Sequence, residues 1–207
     1  MPGRNVGASS LQRQDDLLVL ALSAFGQSTD ARVASEPAPL SVDIRDYAIV
    51  PRTHMTRALA QLNAILDSAG IRSVCRIQRR STSDKWSSEP MSDKVITVHI
   101  FPELMDDRFV ANTDVLGVVP GAPSGGRLVY LFSSRVEVIA RRHATDYGTL
   151  LGTLLAHEIG HVLLPGTPHS HVGLMRPLCD GKQIRNMMLG TLAFTPAQAA
   201  DIKSRLF

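Results

Sequence analysis

Apolar and polar residues alternate through "LSVDIRDYAIV" (40–50), with β-branched side chains among them, a pattern that predicts a strand. The next stretch, "RTHMTRALAQLNAILDSAG", changes period. Met55, Leu59, Leu62, Ile65 and Leu66 recur at helical spacing, and Gly70 follows as a C-terminal cap. "IRSVCRIQ" then predicts a second strand, and the Ser-, Lys- and Glu-rich run over 79–93 with Pro90 a surface loop. "KVITVHIF" (94–101) is apolar at so many positions that a central strand is expected. In "DVLGVVPGAPSGG" the run is broken by Gly117 and Pro120, which suits a sheet edge. "RLVYLF" (127–132) predicts a fifth strand and "SRVEVIARRH" a short helix. From Tyr147 to Leu164 a helix is apolar nearly all round, which implies burial. Asp146 or Thr145 can cap its start, and Pro165 ends it. Thr195 followed by Pro196 marks the start of a C-terminal helix. The sequence has no internal repeat and no apolar run long enough to span a membrane.

At 207 residues the chain suits one domain with a tail, and a formal charge of +3 changes little. Its arginines are scattered apart from "RSVCRIQRR" and the pair Arg141, Arg142. With aromatic residues at 5 %, this argues for a solvated surface and against nucleic-acid binding. Near the N-terminus, Arg4 and Arg13 precede "LLVLALSAF" (17–25), which has the length of a signal-peptide core, with Ala24-Phe25-Gly26 as a cleavage site. Asp15 and Asp16 fit that reading poorly, and the alternative is a short amphipathic helix or disordered leader. The small, polar stretch 26–40 reads as a linker. The expected organisation is a leader and linker over 1–39 and a folded domain over 40–207, in an exported (periplasmic or secreted) monomer or, if the leader is no signal, a cytoplasmic one. Cys75 and Cys179 can pair in an exported protein. In the cytosol they would be free and buried.

The segment "LLAHEIGHVLLPGTPHSHVGLM" (154–175) holds four of the seven histidines. An H-E-x-x-H pattern on a helix puts His157 and His161 on one face, where both imidazoles reach one Zn²⁺, and sets Glu158 beside the open position as a base. A catalytic zinc needs a third protein ligand. A later glutamate is ruled out, because none follows Glu158, and Asp201 among "AQAADIK" reads as a surface carboxylate. Asp180 is a formal substitute, but the nearer candidates are His169 and His171, in the turn after the helix. Gly160 inside the motif lowers helix propensity by about 1 kcal/mol, which points to close approach of another backbone. His54, His99 and His143, at a helix start, in a strand and in a polar link, are not expected to be ligands.

This segment resembles the metzincin clan of zinc peptidases, whose H-E-x-x-H-x-x-G-x-x-H motif turns the chain at a glycine so that a third histidine meets the metal. Here Gly166-Thr167-Pro168-His169 supplies the G-x-x-H half two residues late, and Thr167 stands where the clan's third ligand would be. A closer likeness is to small bacterial predicted metallopeptidases with H-E-x-G-H-x-L-L followed by H-S-x-x-G-[IL]-M. The matching stretches are "HEIGHVLL" and "HSHVGLM", with "LAFTPAQAADI" like the entry to that group's last helix. The resemblance spans roughly residue 40 to the end and is strongest from Gly148.

The resemblance implies an α+β, metzincin-like single domain: a mixed, mostly parallel five-stranded twisted sheet, a backing helix, a buried active-site helix, a Met-turn and a C-terminal helix. It implies His169 as third ligand, Met175 as the Met-turn residue, and a variable position at His171. Arg176 would be a secondary candidate for holding an oxyanion, with a surface role as the alternative. The expected activity is zinc-dependent hydrolysis of a peptide or protein, with Glu158 moving the proton and the edge near 115–119 pairing with substrate. Two other readings are a binding module that keeps a non-catalytic zinc and another class of hydrolase. A latent enzyme is a further variant, although no cysteine precedes Cys75 to act as a thiol switch.

Overall fold

Five strands assemble around β-branched and aliphatic residues between Leu40 and Phe132. The computed structural model describes residues 38–81, 94–102, 115–121, 126–177, 181–189 and 191–206. The leader, most of the linker, much of the expected 79–93 loop, Cys179 and Asp180 lie outside the described residues. The elements are β1 (Leu40–Asp46), α1 (Arg52–Ser68), β2 (Ser73–Arg79), β3 (Val95–Phe101), β4 (Gly117–Val118) and β5 (Leu128–Phe132). They continue with α2 (Ser133–Arg142), α3 (Tyr147–Leu163), α4 (Gly181–Met188) and α5 (Pro196–Leu206).

The sheet runs β2-β1-β3-β5-β4. β1 pairs in parallel with β2 and β3, and β3 with β5, whereas β4 joins β5 antiparallel through Gly117 opposite Leu131 and Val118 opposite Tyr130. The fold is therefore the expected α+β type with a mixed, mostly parallel five-stranded sheet. Because side chains alternate across a strand, Val42, Ile44, Ile96, Val98, Ile100, Val129 and Leu131 enter the main core with α1 and α3. The other face carries Tyr47, Phe101, Leu128, Tyr130 and Phe132, all buried. His99 stacks on Tyr47 within this layer, with ring centroids 5.6 Å apart. Burial, with the Arg45 cation second, pushes its imidazole down to about 4, so it is neutral at physiological pH.

The helix α1 buries Met55, Ala58, Leu62, Ile65 and Leu66, so Ala58 rather than Leu59 completes the inward stripe. Ala58 lies where α1 crosses α3 closely. A β-carbon on Gly148 would sit 2.6 Å from the His54 carbonyl oxygen, and one on Gly152 would overlap the Ala58 carbonyl. Two glycines four residues apart thus let the helix backbones meet. The edge strand is shorter than its sequence suggests: only Gly117 and Val118 pair, and Pro120, which has no N–H, follows in a turn. The helix α4 has no counterpart among the elements expected from sequence, since its eight residues offer little periodic signal, yet Ile184 and Met187 are buried three apart on one face. At α5 the Thr195 hydroxyl accepts from Gln198 N–H (3.2 Å) and the Gln198 side chain accepts from Thr195 N–H (2.9 Å), a reciprocal cap. Among the described residues no helix is long and apolar enough to cross a membrane.

Candidate metal centre

The candidate ligands begin on α3, whose position is fixed from both ends. At its start the Asp146 carboxylate accepts from Thr149 N–H (2.8 Å) and from Arg57 (2.6 Å), capping the helix and tying it to α1. Along its length Leu150, Leu151, Leu154, Leu155 and Ile159 are fully or nearly buried, as the all-round apolar pattern predicts. His157 and Glu158 are buried with them, at 3 % and 5 % exposure, and His161 is half-buried one turn on.

Beyond Leu163 the chain reverses. Leu164 N–H still donates to Gly160 O in helical fashion, Thr167 N–H closes a turn onto Leu164 O, and Gly166 takes φ 75°, a left-handed value that glycine adopts without strain. The segment returns through His169, and Ser170 N–H donates to Met175 O (2.9 Å), closing a loop at whose base Met175 is fully buried. Leu174 N–H donates to Ala193 O (2.8 Å), which anchors the loop to the approach of α5.

This reversal brings three imidazoles together. The Nε2 atoms of His157, His161 and His169 are mutually 3.1 to 3.2 Å apart. Three ring nitrogens facing one point cannot all be satisfied by one another. The spacing does match a tetrahedral centre, whose nitrogens, bonded at about 2.0–2.1 Å, stand about 3.3 Å apart. His157 Nδ1–H donates to the Leu174 carbonyl (2.7 Å), which fixes the tautomer and leaves the Nε2 lone pair facing inward. Burial pushes His157 down to about 4, opposed by its bond to Leu174, and burial aided by His169 does the same to His161. Both rings are thus uncharged at neutral pH, the form that binds metal. The donor set fits a metal ion. Among the described residues this is the one group of three or more side chains placed to hold one.

Glu158, adjacent to His157, points to the sheet edge. Its Oε1 would lie 2.7 Å from a β-carbon on Gly117, which places the carboxylate against β4. Burial pushes the carboxyl up to about 8, and a dication held by the imidazoles would oppose that by favouring the carboxylate.

His171 is exposed and outside the three-histidine group, and Arg176, half-buried, follows Met175. Asp201 pairs with Arg205 on α5 (3.1 Å). His54 meets Tyr147 edge-on near the start of α1, and His143 follows α2, so neither joins the cluster. Gly160 does make a close approach, but to side chains rather than backbone: a β-carbon there would overlap Met175 Sδ and come within 2.9 Å of the Phe194 ring. Two participants had no sequence signal, the Leu174 carbonyl that orients His157 and the bare edge at Gly117.

The fold and cluster define a protein with three convergent histidines, placed to hold a metal ion, beside a buried carboxylate. No family model matches the sequence, and no curated protein is significantly similar to it. Among solved structures the chain is similar to metalloproteinase-II from Bacteroides fragilis, at 13 % identity and a TM-score of 0.49. That alignment covers 83 % of this chain and 54 % of the other, so this chain spans about half the length of that protein.

Proposed function

We propose that this protein is a zinc-dependent peptidase, with His157, His161 and His169 as metal ligands and Glu158 as general base. The observation that carries the reading is the convergence of the three Nε2 atoms, 3.1 to 3.2 Å apart, next to a glutamate that is buried yet not one of the three metal-ligating side chains. A zinc ion held there would supply Lewis acidity and make water reactive near neutral pH. Glu158 takes the proton of the attacking water and passes it to the leaving amine. A base one residue after a ligand stands beside the metal's open position without occupying it. The short antiparallel strand β4 ends the sheet on the Glu158 side, and an extended peptide added there gains main-chain hydrogen bonds. Met175 underlies the site as packing for α3, and Arg176, next in sequence, is a secondary candidate for holding the developing oxyanion.

A non-catalytic zinc module is the competing reading, and Glu158 weighs against it. Placing a carboxyl in an apolar site is costly, and a purely structural metal site has no use for it.

The test is zinc content per chain for wild type, His169→Ala and His171→Ala, with cleavage of an unstructured protein by wild type and Glu158→Gln. Near-stoichiometric zinc that is lost with His169 but kept without His171, together with cleavage lost in Glu158→Gln, is the expected outcome. Zinc retained in His169→Ala overturns the ligand set, and bound zinc with no Glu158-dependent cleavage favours the binding module.

A further inference from the structure

Gly117 sits in a strand, where glycine is a poor choice: it packs nothing and loses more backbone entropy than any other residue. Its φ lies outside the left-handed region, in contrast to Gly121 four residues on, so the backbone at 117 does not require glycine. What the position lacks is room. A β-carbon there would stand 2.7 Å from Glu158 Oε1, 2.9 Å from Glu158 Cδ and 2.7 Å from Leu131 Cδ2.

The strand has little freedom to back away. Phe132 N–H donates to Leu116 O (3.0 Å) and the Arg135 guanidinium donates to Val115 O, while the same guanidinium lies 4.9 Å over the Phe132 ring. Arg135 and β5 therefore clamp the chain just before Gly117. All three atoms that a new β-carbon would meet belong to side chains rather than to backbone, and two of the three are on Glu158. The Glu158 carboxylate then has to move.

We propose that Gly117 is a positioning residue for Glu158: by carrying no side chain, the clamped edge strand leaves the seat that holds the carboxylate of the general base at the sheet edge. The inference rests on the peptidase reading. It adds that the reach of the base is set by the sheet edge as well as by α3. Misplacement by about 1 Å can cost about 100-fold in rate, so Gly117→Ala is expected to lower kcat by about 10- to 100-fold. Zinc content and KM should change little, because the ligands and the strand backbone stay in place.

The test is a cycle of Gly117→Ala and Glu158→Asp on the zinc-loaded full-length protein, reading kcat, KM and zinc. Aspartate withdraws the carboxylate by one methylene, so adding Gly117→Ala to the Glu158→Asp variant should cost no further rate. A second readout needs no turnover: the side-chain carboxyl-carbon NMR resonance of Glu158, assigned by its loss in Glu158→Gln, should shift in Gly117→Ala. Equal loss on both backgrounds, a rise in KM with kcat unchanged, or an unmoved resonance overturns the proposal while leaving the peptidase reading intact. Absence of cleavage by the wild type overturns the peptidase reading, and with it any catalytic part for Gly117.

Discussion

Met175 Sδ occupies the space that a side chain on Gly160, the residue before His161 on α3, would need. The glycine within the motif and the methionine fifteen positions later are two halves of one contact, closed off by Phe194. Gly160→Ala would gain helix propensity of about 1 kcal/mol but overpack the buried sulfur, at a cost of about 1–3 kcal/mol. We expect a net loss near 1 kcal/mol in urea unfolding. In Gly160→Ala/Met175→Ala the two losses should add to less than their sum, since the cavity left by one accepts the methyl of the other.

Gly152 should be far less tolerant. Its neighbour is the Ala58 carbonyl oxygen, part of the α1 backbone, which cannot rotate aside as a methionine can. Gly152→Ala is expected to cost about 3 kcal/mol, at the upper end for overpacking, and to lower Tm by about 6–12 °C. A thermal melt beside Gly160→Ala checks the order of the two.

Asp146 both caps α3 and pairs with Arg57. Burial raises its pKa, but hydrogen bonds from Thr149 and Arg57 outweigh that and hold the carboxyl below its ordinary value. A depressed folded-state pKa gives stability that is present above the unfolded value of about 3.9 and lost as pH falls through the folded one. Asp146→Ala should cost about 1 kcal/mol at neutral pH. The gap between wild type and Asp146→Asn, which keeps an acceptor but no charge, should shrink as urea titrations move from about pH 6 to about pH 3.

Chelation provides the fourth test. An ion that binds only the native state stabilises it by about 4 kcal/mol when free metal is about 1,000 times its Kd. EDTA should therefore lower the Tm of zinc-loaded wild type by about 8–16 °C. His169→Ala, lacking one of the three convergent nitrogens, should melt at nearly the same temperature with and without the chelator.

The parts of this architecture legible in the sequence are those with a strong period or a fixed local spacing. Dense apolar runs announced β3 and β5, and the all-round apolar character of 147–164 announced the burial of α3. The convergence of His157 and His161 was legible because four residues bring side chains to one helix face. His169 was legible as a candidate only. Its convergence depends on how many residues lie between the end of α3 and Gly166, which is a matter of tertiary path. The brevity of β4 and the existence of α4 were not legible, since a pairing of two residues and a helix of eight have too few positions to establish a period. Gly160 signalled a close contact without saying with what, because the Met175 sulfur reaches it across a loop whose closure no local pattern encodes.

The three convergent histidines belong to differently held parts of the molecule. His157 and His161 ride on a helix buried along nearly its whole length, whereas His169 lies on an exposed segment held by a few backbone bonds. An ion held by all three would lose the nitrogen of that segment first, with the other two still in register. Exchange of such an ion would then require that segment to open and the two helix nitrogens to let go, without unfolding of the domain.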